Sequence, residues 1–181
     1  GDVGTISDIS IDGISIGAWS GVSAQGVVQV GVAGGAVVSN LTIRNARTNG
    51  LTGRMPTNLF NMNIAGSSVV NLTIADSSLA FPVDATGGAY SVVGNAIGTS
   101  IDNVVLQNVV TTSEGANSHA YAWVDTSGSI NTVSVIGGSL SGHGKVHNLA
   151  GTVTNFFIGG GFKFNGFTML ESPETRYVLN G

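Results

Sequence analysis

Polar and apolar residues alternate along this chain in short bursts, and one burst keeps returning. Val38-Ser39-Asn40-Leu41-Thr42-Ile43 comes back as Val69-Val70-Asn71-Leu72-Thr73-Ile74 and again as Ile101-Asp102-Asn103-Val104-Val105-Leu106. Looser copies are Ile6-Ser7-Asp8-Ile9-Ser10-Ile11, Ile130-Asn131-Thr132-Val133-Ser134-Val135 and Val153-Thr154-Asn155-Phe156-Phe157-Ile158. The third position of the phrase falls at residues 8, 40, 71, 103, 132 and 155, in steps of 32, 31, 32, 29 and 23. Self-similarity at such a period predicts a solenoid. Alternation within each copy predicts one strand, with Leu41 and Ile43 on one face and Thr42 on the other.

Two further strands are predicted in each repeat. The second covers Ile14 to Ile16, Asn45 to Thr48, Ser77 to Ala80, Asn108 to Thr111 and Ser139 to Ser141. The third covers Val27 to Val32, Leu59 to Ile64, Tyr90 to Ile97, His119 to Val124 and Val146 to Leu149. No helical periodicity lies between them. Three short strands per repeat suit a parallel coil in which equivalent strands stack ~4.8 Å apart. Two inward columns are expected, Ile9, Leu41, Leu72, Val104, Val133, Phe156 and Ile11, Ile43, Ile74, Leu106, Val135, Ile158.

Composition agrees with strands. Six Lys or Arg and ten Asp or Glu accompany 28 Gly in 181 residues, of which 42% are hydrophobic. A chain so poor in charge and so apolar is not a disordered one. Beta-branched residues set between Gly and Asn favour strands and turns. The net charge of −4 offers no basic stripe, so nucleic acid is not an expected partner. No apolar run approaches the ~18 residues of a membrane span. Without cysteine there is neither a disulfide framework nor a thiolate metal site. The chain starts at Gly1-Asp2 and is inside a repeat by Ile6, which reads as a piece of a longer protein.

The third position of the phrase is Asp, Asn, Asn, Asn, Thr, Asn. Stacked amides can donate and accept along a column, and Asn tolerates a tight corner. Over residues 5 to 160 this resembles the asparagine ladder of right-handed parallel β-helices of the pectate-lyase-like class, which includes phage tailspikes, tail fibres and bacterial surface adhesins. The resemblance implies an all-β, right-handed parallel β-helix of five to six coils over 1–160. An open solenoid end needs cover, so 161–181 is read as a C-terminal capping and association segment. Those families share the coil and not the chemistry. As in tailspike-like proteins, side-by-side association into a homotrimer is expected, on a virion tail or a cell surface. The sequons at Asn40 and Asn71 are read as ladder and strand rather than glycan sites.

Chemistry is sparser. The stretches between second and third strands (17–26, 52–58, 81–89, 112–118 and 142–145) vary in length and should project from one edge of the solenoid, often the binding edge. They gather Trp19, Arg54, Asp84, Glu114, Asn117, His143 and Lys145, with His119 just beyond. Aromatic, amide and charged groups together suit a groove for host cell-surface polysaccharide. An enzyme of the lyase or glycosidase type needs paired carboxylates, for which Asp84 and Glu114 are the candidates. No catalytic motif matches, so binding is the expected activity. His143 and His147 are four apart, a spacing that places ligands together on a helix and ~13 Å apart on a strand. Neither a metal nor a cofactor is expected. The outward row Ser10, Thr42, Thr73, Val105, Ser134, Phe157 keeps Thr in only two repeats, too few for the flat threonine face of an ice binder. Tyr121 and Trp123 share one strand face and suit core or a subunit contact.

Overall fold

The computed structural model describes residues 4–17, 26–30, 35, 37–48, 58–62, 64–81, 91–95, 98–113, 119–124, 128–141, 145–149, 151–159, 162–165 and 176–179. At 81, 91, 95, 113, 119–124, 140, 145–149, 164, 165 and 176–179 the description is of the backbone alone. The first repeat supplies β1 (Thr5–Asp12), β2 (Ser15–Ile16) and β3 (Val28–Val30), and the second β4 (Val37–Arg44), β5 (Arg47–Thr48) and β6 (Asn58–Met62). The third supplies β7 (Ser68–Ala75), β8 (Ser78–Phe81) and β9 (Ser91–Asn95), and the fourth β10 (Ser100–Gln107), β11 (Val110–Ser113) and β12 (His119–Val124). Then come β13 (Ser129–Ile136), β14 (Ser139–Ser141) and β15 (Lys145–Leu149), followed by β16 (Thr152–Gly159), β17 (Lys163–Asn165) and β18 (Arg176–Leu179).

These strands form three sheets. The first runs β1-β4-β7-β10-β13-β16-β18, the second β2-β5-β8-β11-β14-β17 and the third β3-β6-β9-β12-β15. Every pairing in them is parallel. Among the described residues the protein is all-β, and through β15 each repeat gives one strand to each sheet in rotation. The strands within 161–181 extend two of the sheets, β17 beside β14 and β18 beside β16.

Register turns the repeated phrase into a core. Ile9, Leu41, Leu72, Val104, Val133 and Phe156 pair in succession, and so do Ile11, Ile43, Ile74, Leu106, Val135 and Ile158. From Leu41 and Ile43 onward both columns are buried, each side chain contributing roughly 1.5–3 kcal/mol. A third column, Val38, Val69, Ile101, Ile130 and Val153, is at most 2% exposed. Simple alternation would not place both the first and the fourth residue of the phrase inside. In the first two repeats the third residue makes it possible, because Asp8 and Asn40 take left-handed backbone angles (φ 60° and 56°) that Asx residues tolerate. In the later repeats the break in pairing falls at the second residue instead, at Val70, Asp102, Asn131 and Thr154. Two consecutive residues then face outward. At β1, the terminal strand of the first sheet among the described residues, the column thins, and Ile6 is 51% exposed.

A second column turns the chain from the first sheet to the second. Gly13, Asn45, Asp76, Asn108 and Gly137 occupy equivalent places, all left-handed, with φ of 77°, 53°, 51°, 52° and 63°. Each donates its backbone N–H to the next layer, to the carbonyls of Arg44, Ala75, Gln107, Ile136 and Gly159 in turn. The corner is thus hydrogen-bonded along the stack as the strands are. Ala46, Ser77 and Val109 follow it and are buried. The Ser77 hydroxyl donates to the carbonyl of Ala75 at 2.8 Å and accepts from the Ala46 N–H at 3.1 Å. Across the corner, Arg47 donates from Nη1 to the Asp76 carbonyl at 2.6 Å.

Candidate functional site

The side-chain ladder organises the outer surface of the first sheet. Asn40, Asn71 and Asn103 donate from Nδ2 to Oδ1 of Asp8, Asn40 and Asn71, at 2.9, 2.9 and 3.2 Å. In the next layer Thr132 takes the place of the amide. At this point the bonding shifts one residue back along the strand: Asn131 donates from Nδ2 to Oδ1 of Asp102 at 2.9 Å. Asn103 also reaches Oδ2 of Asp102 at 3.4 Å, and Asn155 reaches the Asn131 carbonyl at 3.4 Å. Asp102 is therefore fixed by amides from its own layer and from the next.

A groove of about 270 Å³ opens at this junction, lined by Ser68, Val69, Val70, Ser100, Ile101, Asp102, Ser129, Asn131 and Thr154. Its origin is the pleat of the sheet. Val69 and Ile101 turn inward and form the floor. The residues before them, Ser68, Ser100 and Ser129, are in register across β7, β10 and β13 and form one wall. The residues after the floor positions, Val70, Asp102, Asn131 and Thr154, form the other. The walls present hydroxyls, an amide and a carboxylate at intervals of ~4.8 Å along the stack. No family model, curated protein or solved structure matches this chain. The groove's own chemistry is what speaks to function.

That groove is not the loop edge expected from the sequence. Trp19, Arg54, Asp84, Glu114, Asn117 and His143 lie outside the described residues. His119 and Lys145 open β12 and β15, where their backbones are directly in register. The structure thus brings these two together at one end of the third sheet. Further along, Ala122 pairs with Val93 and His147, and Trp123 with Gly94 and Asn148. The groove residues carry a signal of their own, a polar residue on each side of the phrase's first apolar position in the repeats of β10, β13 and β16, with Val70 the departure in β7. Among the described residues no group of three His, Cys, Asp or Glu is placed to hold a metal ion. No helix among them is long and apolar enough to cross a membrane.

Proposed function

We propose that the chain is a segment of a right-handed parallel β-helix that serves as a rigid recognition domain for host surface polysaccharide, as part of a phage tailspike or tail fibre. The observation that carries this reading is the groove across β7, β10, β13 and β16, where a hydroxyl recurs in every layer beside one carboxylate and one amide. Glycans are recognised through such groups, held in fixed positions so that little ordering is needed on binding. Parallel backbone pairing and the ladder beneath Asp102 supply that rigidity. Val110 and Ile136 are exposed apolar side chains, the kind of surface that side-by-side association into a homotrimer would cover. Three copies would raise weak single-site affinity through multivalency, on a virion tail or another extracellular surface.

Binding is preferred to cleavage for a chemical reason. Glycoside hydrolysis on the usual scheme employs two carboxyl groups, and among the described residues the groove lining contains Asp102 alone. The test is a glycan array probed with the whole chain, followed by mass analysis of retained oligosaccharides. Retention without shortening is expected, with Ser100→Trp reducing it at least tenfold by filling the groove. Shortened products would make the protein an enzyme, and retention of no glycan would end the recognition reading.

A further inference from the structure

We infer that the groove selects linear glycans that lack acidic sugars, laid along the stacking direction, and that Asp102 is the residue that sets this selectivity. The inference rests on the polysaccharide reading and narrows it to a substrate class.

Three features converge. First, among the described residues the groove lining contains one formal charge, the Asp102 carboxylate, and no Lys or Arg. Arg44 stands at the far end of its strand, about 20 Å from the phrase's first position at the usual rise per residue, and Arg47 is committed to the Asp76 carbonyl. Arg176 on β18 is in register with Asn155, three strands or ~14 Å from the strand of Asp102. A uronate or sulfate seated beside Asp102 would meet a fixed anion with no countercharge among the described lining residues, which is a means of rejecting a wrong partner. Second, the nearby amides are already turned toward Asp102 and the ladder, each with at least one N–H engaged. Asn103 places Nδ2 on Asn71 and Asp102, and Asn131 places Nδ2 on Asp102. A carboxylate accepts at two oxygens with several lone pairs, so Asp102 retains capacity for a ligand donor. A ligand rich in hydroxyl or ammonium donors complements such a site, whereas one rich in anionic acceptors does not.

Third, the lining repeats along the stack. Ser68, Ser100 and Ser129 come from adjacent strands in register, while the opposite wall continues from Asp102 through Asn131 to Thr154. Four strands span ~14 Å. A chain laid along that line meets a hydroxyl or amide at every layer, while one laid across it meets only the width of a single pleat. Axial placement therefore makes use of the whole groove.

The test compares hexamers of one length by calorimetry or weak-affinity chromatography: cellohexaose, a chitosan hexamer and hexagalacturonate. At low salt the chitosan hexamer should bind best and hexagalacturonate at least tenfold more weakly than cellohexaose. Asp102→Asn, which keeps the side chain's size, should shrink the chitosan-to-galacturonate ratio at least tenfold. Val70→Lys puts a cation on the same wall without touching Asp102 and should recruit hexagalacturonate. In a cellodextrin series affinity should rise from two units to about four and then level. Equal binding of hexagalacturonate and cellohexaose by the native chain would overturn the selectivity, as would an unchanged ratio in Asp102→Asn. Affinity independent of length beyond two units would overturn the axial placement. All these outcomes leave polysaccharide recognition standing, whereas failure of every glycan on the array removes recognition itself.

Discussion

Asn40 donates from its Nδ2 to Oδ1 of Asp8 at 2.9 Å, and Asn71 repeats the bond one layer on, onto Asn40 at the same distance. The ladder bonds of Asn40, Asn71 and Asn103 all point toward the N-terminal layer. Asp8, which accepts and cannot donate when ionised, ends the ladder. The same logic recurs at the corner, where Asn45 donates to Oδ1 of Asp12 at 2.7 Å and Asn108 to Oδ1 of Asp76 at 3.2 Å.

The bond has a consequence for pH. The hydrogen bond from Asn40, with a second involving Ser7, holds the Asp8 carboxyl below its ordinary value of 3.8. A carboxyl lowered in the folded state stabilises the fold above the unfolded value, and the contribution disappears as pH falls through the lowered one. The Asp8-linked stability should therefore be complete above about pH 4 and decline in stronger acid. Asn40→Ala should move the Asp8 titration up toward 3.8 when followed by carbon-detected NMR. A titration that stays low in this variant would assign the shift to Ser7.

Thr111 is fully buried and its Oγ1 has no hydrogen-bond partner. An unpaired buried hydroxyl costs about 1–3 kcal/mol. Thr111→Val keeps the branched shape and removes the polar atom, so it should stabilise the protein by about 1 kcal/mol in chemical denaturation. A loss of stability would show that the hydroxyl is bonded in solution.

The neighbouring buried hydroxyl has the opposite role. Ser77 links the Ala75 carbonyl to the Ala46 N–H inside the core. Ser77→Ala would leave that N–H without its partner and should cost about 1–3 kcal/mol, with faster amide exchange at Ala46. Unchanged protection there would mean that another acceptor takes over.

Two glycines make a matched pair. Gly138 has φ +81° and a Cβ placed on it would lie 2.2 Å from the Val109 carbonyl oxygen, whereas Gly13, at φ +77°, has nothing within 4 Å. Gly13→Ala should cost only the left-handed penalty, about 1–2 kcal/mol. Gly138→Ala adds a collision with rigid backbone and should exceed that, at roughly 3 kcal/mol or more. Equal costs for the two would refute the close approach.

The architecture was legible because the same residue types return at the same place in every layer. Leu41, Leu72 and Val104 announce their column by spacing alone, and the third-position amides announce the ladder. The inner column at Val38, Val69 and Ile101 was harder to see, since plain alternation assigns the first and fourth residues of a phrase to opposite faces. In β4 the left-handed turn at Asn40 reconciles them, and in β7 and β10 a break in pairing at Val70 and Asp102 does so. The corner was present as Gly13, Asn45, Asp76, Asn108 and Gly137, each five residues after the third position of its phrase. These types share a backbone angle and not a chemistry, so they do not look like one column until their φ values are compared. The groove was missed for a related reason. Ser68, Ser100 and Ser129 are ordinary strand residues, and rare side chains such as Trp19 and His143 draw attention away from common ones in register.

The ladder and the core columns share one period, and this makes the protein's thickness adjustable only in whole steps. Excising Asn40 through Val70, the 31 residues that separate two rungs, joins Ser39 to Asn71 and restores the phrase across the junction. Asn71 would then face Asp8 directly, and Leu72 would cover Ile9. An excision one residue shorter or longer would swap inside for outside along the strand. Shortened by a full step, the chain should still melt cooperatively; cut out of phase, it should not fold.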